Sequence, residues 1–200
     1  GLGDGSPGMI AMFLGAGQNN VFTDSSFDSE VMIHEYTHGV SLRLVRNLGG
    51  HHGGAMGEAW GDFFGLEFLT PEGAPPNGTY SSGDYFSQRL NVGGRTRPYS
   101  TDMSINPITF ADFGRVTAFP AIHSDARIWV VALLEMRANL IRQFGETEGR
   151  RRTRLLVIDG MKLSVPSPSM VHARDAILLA DRTSFDGASQ AQIWQAFAKR

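Results

Sequence analysis

The stretch His34-Glu35-Tyr36-Thr37-His38 decides how the rest of this 200-residue sequence is interpreted. Its two histidines are four positions apart, so on a helix they share one face and can bind one tetrahedral metal ion together. Glu35 stands beside them and is placed to accept a proton from a water molecule that attacks a substrate there. Because so short a pattern also arises by chance, the neighbouring sequence has to supply the remaining ligand.

A carboxylate in the required position follows in Gly57-Glu58-Ala59-Trp60-Gly61-Asp62-Phe63-Phe64. Glu58 stands twenty residues after His38, and a carboxylate from a second helix completes a catalytic zinc site of two histidines and one glutamate. Asp62 lies four residues later on the same helix face, where it can accept the other ring N–H of a ligating histidine. The sequence therefore predicts one zinc ion per chain, bound by His34, His38 and Glu58. The alternative is a pair of helices that carries acidic residues by chance.

Composition narrows the classes of partner and cofactor. The formal net charge of −2 argues against nucleic acid or an anionic membrane surface as the main partner. The sequence has no cysteine, so disulfides and thiolate metal ligands are impossible, and histidine and carboxylate remain as the strong ligands. Its longest uninterrupted apolar run, residues 128–134, is too short to span a bilayer. Calcium is possible but not indicated, because Asp84, Asp102 and Asp112 lack the spacing of a calcium-binding loop.

Apolar periodicity and turn residues predict a mainly α chain with little sheet. Residues 9–14 form a short apolar run bounded by glycines, which predicts a strand. The stretch 71–110 is rich in Gly, Pro, Ser and Asn, shows little periodicity, and is expected to form a cleft wall. His51 and His52 precede two glycines, a pattern that favours a solvated loop over a metal site. The predicted helices cover residues 27–46, 55–69, 124–144, 153–163, 168–182 and 189–200.

Four segments of the sequence resemble the fungalysin family of secreted metallopeptidases, a branch of the thermolysin-like gluzincins. They are Ile33-His34-Glu35-Tyr36-Thr37-His38-Gly39-Val40-Ser41, Gly57-Glu58-Ala59-Trp60-Gly61-Asp62-Phe63-Phe64, Pro98-Tyr99-Ser100-Thr101-Asp102-Met103 and Ala173-Arg174-Asp175-Ala176-Ile177-Leu178. The ending, residues 193–200, is also similar to the close of that family. The resemblance thus covers nearly the whole chain, and the first two segments are highly specific in combination.

The resemblance implies further site residues. His123 is similar to a histidine that opens a long helix in thermolysin-like enzymes and stabilises the charged oxygen of the reaction intermediate. The alternative for His123 is a helix-capping role without a catalytic part. Arg95 or Arg97 is expected either to bind a substrate carbonyl or to lie in a solvated loop.

The resemblance also implies a fold. The expected fold is mainly α and zincin-like: the helical C-terminal half of a thermolysin-type peptidase, with a small β remnant at its N-terminus. Residues 1–24 are expected to be a remnant of an upstream β-containing domain, and residues 25–200 the helical zinc-peptidase domain. The expected partners are a polypeptide substrate and an upstream segment or companion chain of the same protein, because a lone strand cannot supply a sheet edge for substrate.

The activity expected from the resemblance is that of a secreted, zinc-dependent endopeptidase that hydrolyses extended polypeptides, with Glu35 as the base. A large apolar residue is expected to follow the bond that is cut. Two alternatives stay open at this point. One is a zinc-bearing peptide-binding or scaffold fragment without turnover, and the other is an aminopeptidase of the same clan.

Overall fold

A computed structural model describes residues 8–16, 21–115 and 121–200 of the chain, and the described part is mainly α, as the sequence predicts. The helices are α1 (Ser29–Leu44), α2 (Gly50–Leu69), α3 (Asp84–Ser87), α4 (Ala121–Phe144), α5 (Glu146–Leu163), α6 (Met170–Phe185) and α7 (Gln190–Lys199). Two short antiparallel pairs join β1 (Leu14–Ala16) to β2 (Phe22–Asp24) and β3 (Thr79–Tyr80) to β4 (Tyr99–Ser100). None of the described helices combines the length and apolar content that a membrane crossing needs.

The core of the described structure is centred on α2 and α4. Helix α2 packs between α1 and α4, while α4 also packs against α5 and α7. The rings of Trp60 and Trp129 meet edge to face across the α2–α4 contact, with their centroids 6.4 Å apart. Both rings are almost completely buried, and they are the largest of the fully buried side chains among the described residues. The packed α2–α4 pair therefore forms the base from which side chains project at the middle of α2 and at the start of α4.

The sequence locates α1 well because its start signal is chemical. The Asp28 carboxylate accepts hydrogen bonds from the backbone N–H groups of Glu30 and Val31, so it caps the helix. Helix α1 then runs to Leu44, within two residues of the predicted bounds at each end. Its two histidines consequently lie mid-helix, one turn apart, on the face that meets α2.

The prediction of a loop at residues 51–54 is wrong, because α2 begins at Gly50 and this segment forms its first turn. Glycine is a poor helix former in isolation, but here tertiary packing demands it. A Cβ atom at Gly53 would collide with the backbone carbonyl of Leu48, and one at Gly54 would lie 3.3 Å from Cγ2 of Ile122. The glycines therefore permit close approach rather than breaking the helix.

Three other predicted bounds need correction. The strand predicted at residues 9–14 is confirmed only at Leu14, since β2 is three residues long and offers no partner to residues 9–13. Helix α5 begins at Glu146 and not at 153, helped by ion pairs from Glu148 to the arginines at 151 and 152. Helix α6 begins at Met170 because Ser169, not Ser167, is its N-cap.

Candidate metal centre and active site

His34 and His38 project from α1 toward α2. Their ring centroids are 4.7 Å apart and the ring planes meet at 84°. The ligand atoms of His34, Glu35 and His38 all lie within 4.8 Å of one another. His34 is buried, whereas His38 and Glu35 keep partial contact with solvent. The open side of the group is therefore the side on which a substrate can approach.

Glu58 approaches both histidines from α2. Its Oε2 atom lies 3.3 Å from Nε2 of His34, and its Oε1 atom lies 3.7 Å from Nε2 of His38. The carboxylate is thus aimed at the two imidazole nitrogens at once. Two imidazoles and one carboxylate are the donor set of catalytic zinc sites, so the residues fit a zinc ion.

Asp62 lies behind His34, on the side away from Glu58. Its Oδ1 atom is 2.8 Å from Nδ1 of His34. A carboxylate can only accept, so Nδ1 carries the proton and the opposite nitrogen, Nε2, is directed at the site. The absence of a side chain at Gly61 makes this contact possible, because a Cβ atom there would lie 2.5 Å from the same Nδ1.

The stretch between α2 and α4 supplies two further partners to Asp62. Arg95 donates from Nε to Oδ2 at 2.7 Å and from Nη2 to Oδ1 at 2.8 Å. The hydroxyl of Tyr99 donates to Oδ2 at 2.5 Å. Asp62 is buried, and each of its two oxygens is satisfied by more than one donor. This arrangement holds the carboxylate, and through it the ring of His34, in one position.

Charge neighbours govern ionisation in the site. Burial opposes ionisation of Asp62, but the guanidinium of Arg95 outweighs it and holds the pKa of Asp62 far below its usual range. Burial would lower the pKa of His34, yet the hydrogen bonds to Asp62 and Glu58 raise it to about 9, so a metal ion that binds Nε2 has to displace a proton there. Burial and the neighbouring His34 lower the pKa of His38, which favours the neutral ring that a metal ion requires.

His123 joins the site from the first turn of α4. Its Nε2 atom lies 3.1 Å from Oε2 of Glu58. Against the burial that opposes it, this contact and the one from His34 hold the pKa of Glu58 well below its usual range. The structure therefore brings five of the predicted site residues to one place, with donors from α1, α2 and α4. They are His34, Glu35, His38, Glu58 and His123.

Residues 2–200 match the fungalysin metallopeptidase family (M36). The chain belongs to this family. It is 37% identical to an extracellular metalloproteinase of Neosartorya fischeri over 98% of its length, and 36% identical to extracellular metalloproteinase 10 of Coccidioides posadasii over the same share. It is also 37% identical to extracellular metalloproteinase 4 of Arthroderma otae. The chain spans 33%, 34% and 33% of the lengths of these three curated relatives, about a third in each case.

Fungalysin membership confirms the resemblance inferred from the sequence and implies a metal in this chain. It does not by itself assign roles to residues, and two arginines illustrate the gap. Arg95, for which the sequence left substrate binding or a solvated loop open, is half-buried and bound to Asp62 through two of its three nitrogens. Arg97 is exposed.

Sequence reasoning missed the part that Tyr99 plays in this fungalysin site. The residue stands in one of the four segments that resemble the family, but nothing in its spacing links it to an aspartate thirty-seven positions earlier. The link depends on β4, which places the buried Tyr99 against the buried middle of α2. A tyrosine among Gly- and Pro-rich sequence, where apolar burial is scarce, is the only signal that pointed there.

Proposed function

We propose that this chain is the metal-binding, helical part of a secreted zinc-dependent endopeptidase that hydrolyses peptide bonds in extended polypeptides. The observation that carries the proposal is the position of Glu58, whose two oxygens face Nε2 of His34 and Nε2 of His38 at 3.3 and 3.7 Å. The relatives' names, extracellular metalloproteinases, support both the peptidase activity and the secretion.

His34, His38 and Glu58 would hold one zinc ion. Zinc, when bound, supplies Lewis-acid catalysis, since it polarises a carbonyl and increases the acidity of water. Glu35 lies within the same group of ligand atoms as the two histidines, so it can accept a proton from the attacking water and pass it to the leaving amine. A purely structural site has no need of such a base, which favours an enzyme over a scaffold fragment.

His123 and Asp62 would support this chemistry in different ways. His123 would donate a hydrogen bond to the oxygen on which negative charge develops, and its Nε2 atom lies close to the proposed ligands, 3.1 Å from Oε2 of Glu58. Asp62 would fix the tautomer and orientation of His34. Arg95 is held by Asp62 at the edge of the site, which is compatible with a grip on a substrate carbonyl through its remaining nitrogen.

A further segment of the same protein would complete the enzyme by covering the outer face of α1. Met32 and Tyr36 project there, one turn apart, with 44% and 65% of their surface exposed. They line a groove of about 530 Å³. The groove lies between α1, α2 and α5, and its other lining residues include the apolar Ile10, Val40, Phe64 and Phe68 and the charged Arg154. An apolar surface of this kind marks an interaction site, and the relatives are about three times as long as the chain.

Digestion of an unstructured protein tests the proposed activity. The full-length protein, with and without a metal chelator, is incubated with casein and the new termini are read by mass spectrometry. The proposal expects internal cleavage that the chelator abolishes and zinc restores, with large apolar residues enriched just after the cut. Removal of single residues from the N-terminus would instead identify an aminopeptidase, and no cleavage would identify a scaffold.

The need for the further segment is tested by comparing two lengths of chain. Residues 1–200 alone should bind zinc but hydrolyse casein far more slowly than the full-length protein, because the apolar face and the substrate-binding sheet edge are incomplete. Equal kcat/KM for the two lengths would contradict the proposed partner segment. It would leave the proposed chemistry intact.

A further inference from the structure

We propose that the pair His51–Asp125 is a positioning element that fixes the first turn of α4 so that His123 faces Glu58. The inference rests on the proposed function, because it assigns a role toward the same site. His51 is one of two adjacent histidines that neither the metal group nor the proposed chemistry uses. It lies in the first turn of α2, two helical turns before Glu58.

Three consecutive contacts connect one face of α2 to the first turn of α4. Positions 51, 54 and 58 follow helical spacing, so they lie on the same face of α2. At its start, Nε2 of His51 lies 2.7 Å from Oδ2 of Asp125. At its end, Oε2 of Glu58 lies 3.1 Å from Nε2 of His123. Between them, Gly54 admits the side chain of Ile122 to close range.

Asp125 is placed for this role by burial and by a second partner. Only 3% of its side chain is exposed, and a buried carboxylate requires hydrogen-bond donors. Besides His51, the backbone N–H of Gly114 donates to the same Oδ2 atom at 2.9 Å. One carboxylate therefore connects α2, the segment before α4, and α4 itself.

His123 and Asp125 are two residues apart, so they leave α4 on roughly opposite sides. Rotation of the first turn about the helix axis would move both side chains together. The bond from Asp125 to His51 resists that rotation at a point remote from the metal group, and it thereby fixes the direction of His123. A donor to a developing negative charge is effective only within a narrow range of positions. Even a small rotation of the first turn of α4 is therefore expected to lower kcat.

The neighbouring residue provides a matched control. The ring of His52 stacks on Phe113, with centroids 4.0 Å apart and planes at 11°. His52 belongs to the same turn of α2 as His51, but the hydrogen bond to Asp125 comes from His51. Replacement of His52 therefore perturbs the same region and the same preceding segment but leaves the bond to Asp125 in place.

A double-mutant cycle in the full-length, zinc-loaded enzyme tests the inference. His51→Ala should lower kcat roughly tenfold with KM and zinc content unchanged, and His51→Gln, whose amide can donate to Asp125, should recover most of the loss. In a His123→Ala background, His51→Ala should have no further effect, because its role passes through His123. His52→Ala should leave kcat near the wild-type value, although it lowers the melting temperature.

A readout that needs no turnover separates this inference from the proposed function. The side-chain ¹⁵N resonances of His123 should shift in His51→Ala and stay in place in His52→Ala. That result would support the positioning role even if casein were not cleaved, in which case the proposed function alone would fail. Unchanged His123 resonances in His51→Ala, or multiplicative losses of kcat in the double variant, would overturn the inference.

Discussion

Helices α1 and α2 both bring ligands to the candidate metal centre, but this chain covers them to very different extents. Thirteen of the twenty residues of α2 are buried, on every side of the helix. Only three of the sixteen residues of α1 are buried, all on the side that faces the site and α2. The outer side of α1 carries the exposed Met32 and Tyr36 in its first half, followed by the exposed Arg43 near its end, so its first half differs from an ordinary solvated face. The metal centre thus lies between α2, which the described residues bury on every side, and α1, whose outer side they leave exposed.

Two glycines express the same difference at atomic scale. In α2, a Cβ atom at Gly61 would lie 2.5 Å from Nδ1 of His34, so the glycine is required by packing within this chain. In α1, a Cβ atom at Gly39 would meet nothing within 4 Å. Glycine in a helix interior lowers stability by about 0.5–1 kcal/mol relative to alanine. No contact among the described residues explains why position 39 is a glycine. Close approach of another polypeptide segment would explain it.

The largest effect is expected from removing the metal ligand that α2 supplies. Glu58→Ala should abolish stoichiometric zinc binding, because it leaves two imidazoles without their carboxylate partner, and stability should fall with it. Zinc content after dialysis, measured by atomic emission, checks this outcome. The control is Glu67→Gln: Glu67 is also an α2 carboxylate but pairs with Arg137, Arg150 and Arg154, so its replacement should lower stability while zinc binding stays stoichiometric. Stoichiometric zinc in the Glu58 variant would break the assignment of α2 as a ligand donor.

A smaller effect is expected from the residue behind His34. Asp62→Ala should weaken zinc binding by about 10–100-fold, because His34 loses the acceptor that fixes its tautomer. The zinc affinity of Asp62→Asn should lie between those of the wild type and Asp62→Ala, since the amide oxygen can still accept a hydrogen bond from the ring. Competition with a chromogenic zinc chelator gives the dissociation constants. An affinity that is unchanged in Asp62→Ala would mean that the ring is oriented by its helix alone.

The smallest effects are expected from alanine substitutions at the two glycines. For Gly39, the sign of the change in the free energy of unfolding should depend on the length of the chain. Gly61→Ala should weaken zinc binding in any form of the protein, because the new methyl group displaces the ring of His34. In residues 1–200 alone, Gly39→Ala should raise the free energy of unfolding by about 0.5–1 kcal/mol. In the full-length protein the same change should lower it, since the covering segment would meet the added methyl. Urea titrations of both lengths give the comparison, and a gain of stability in both would argue that α1 stays uncovered there.

Much of the site could be read from the sequence because its signals are local. His34 and His38 depend only on a four-residue spacing within one well-capped helix, and Glu58 and Asp62 repeat that spacing in the next helix. The helix type and order follow from the same periodicity, which is why the mainly α fold was predicted correctly. The α2–α4 contact was foreseeable in kind from the apolar spacing that includes Trp129.

What the sequence could not give depends on contacts between distant segments. The bonds from Tyr99 and Arg95 to Asp62 cross more than thirty positions of irregular chain, and no periodicity encodes them. Glycine propensity alone predicts a loop at residues 51–54, and this is wrong because packing requires Gly53 and Gly54 in the first turn of α2. That error also concealed the contact between His51 and Asp125. The boundary predicted at residue 24 stays a prediction.

The central claim is that different residues of the α1–α2 site bind the metal and transfer the proton. Glu35→Gln tests this claim most directly. The substitution keeps the size of the side chain but removes the base, while His34, His38 and Glu58 remain. Zinc content and casein hydrolysis are measured on the same preparation of the full-length protein. The account predicts one zinc ion per chain with nearly all turnover lost. Hydrolysis at close to the wild-type rate, or loss of zinc together with activity, would contradict it.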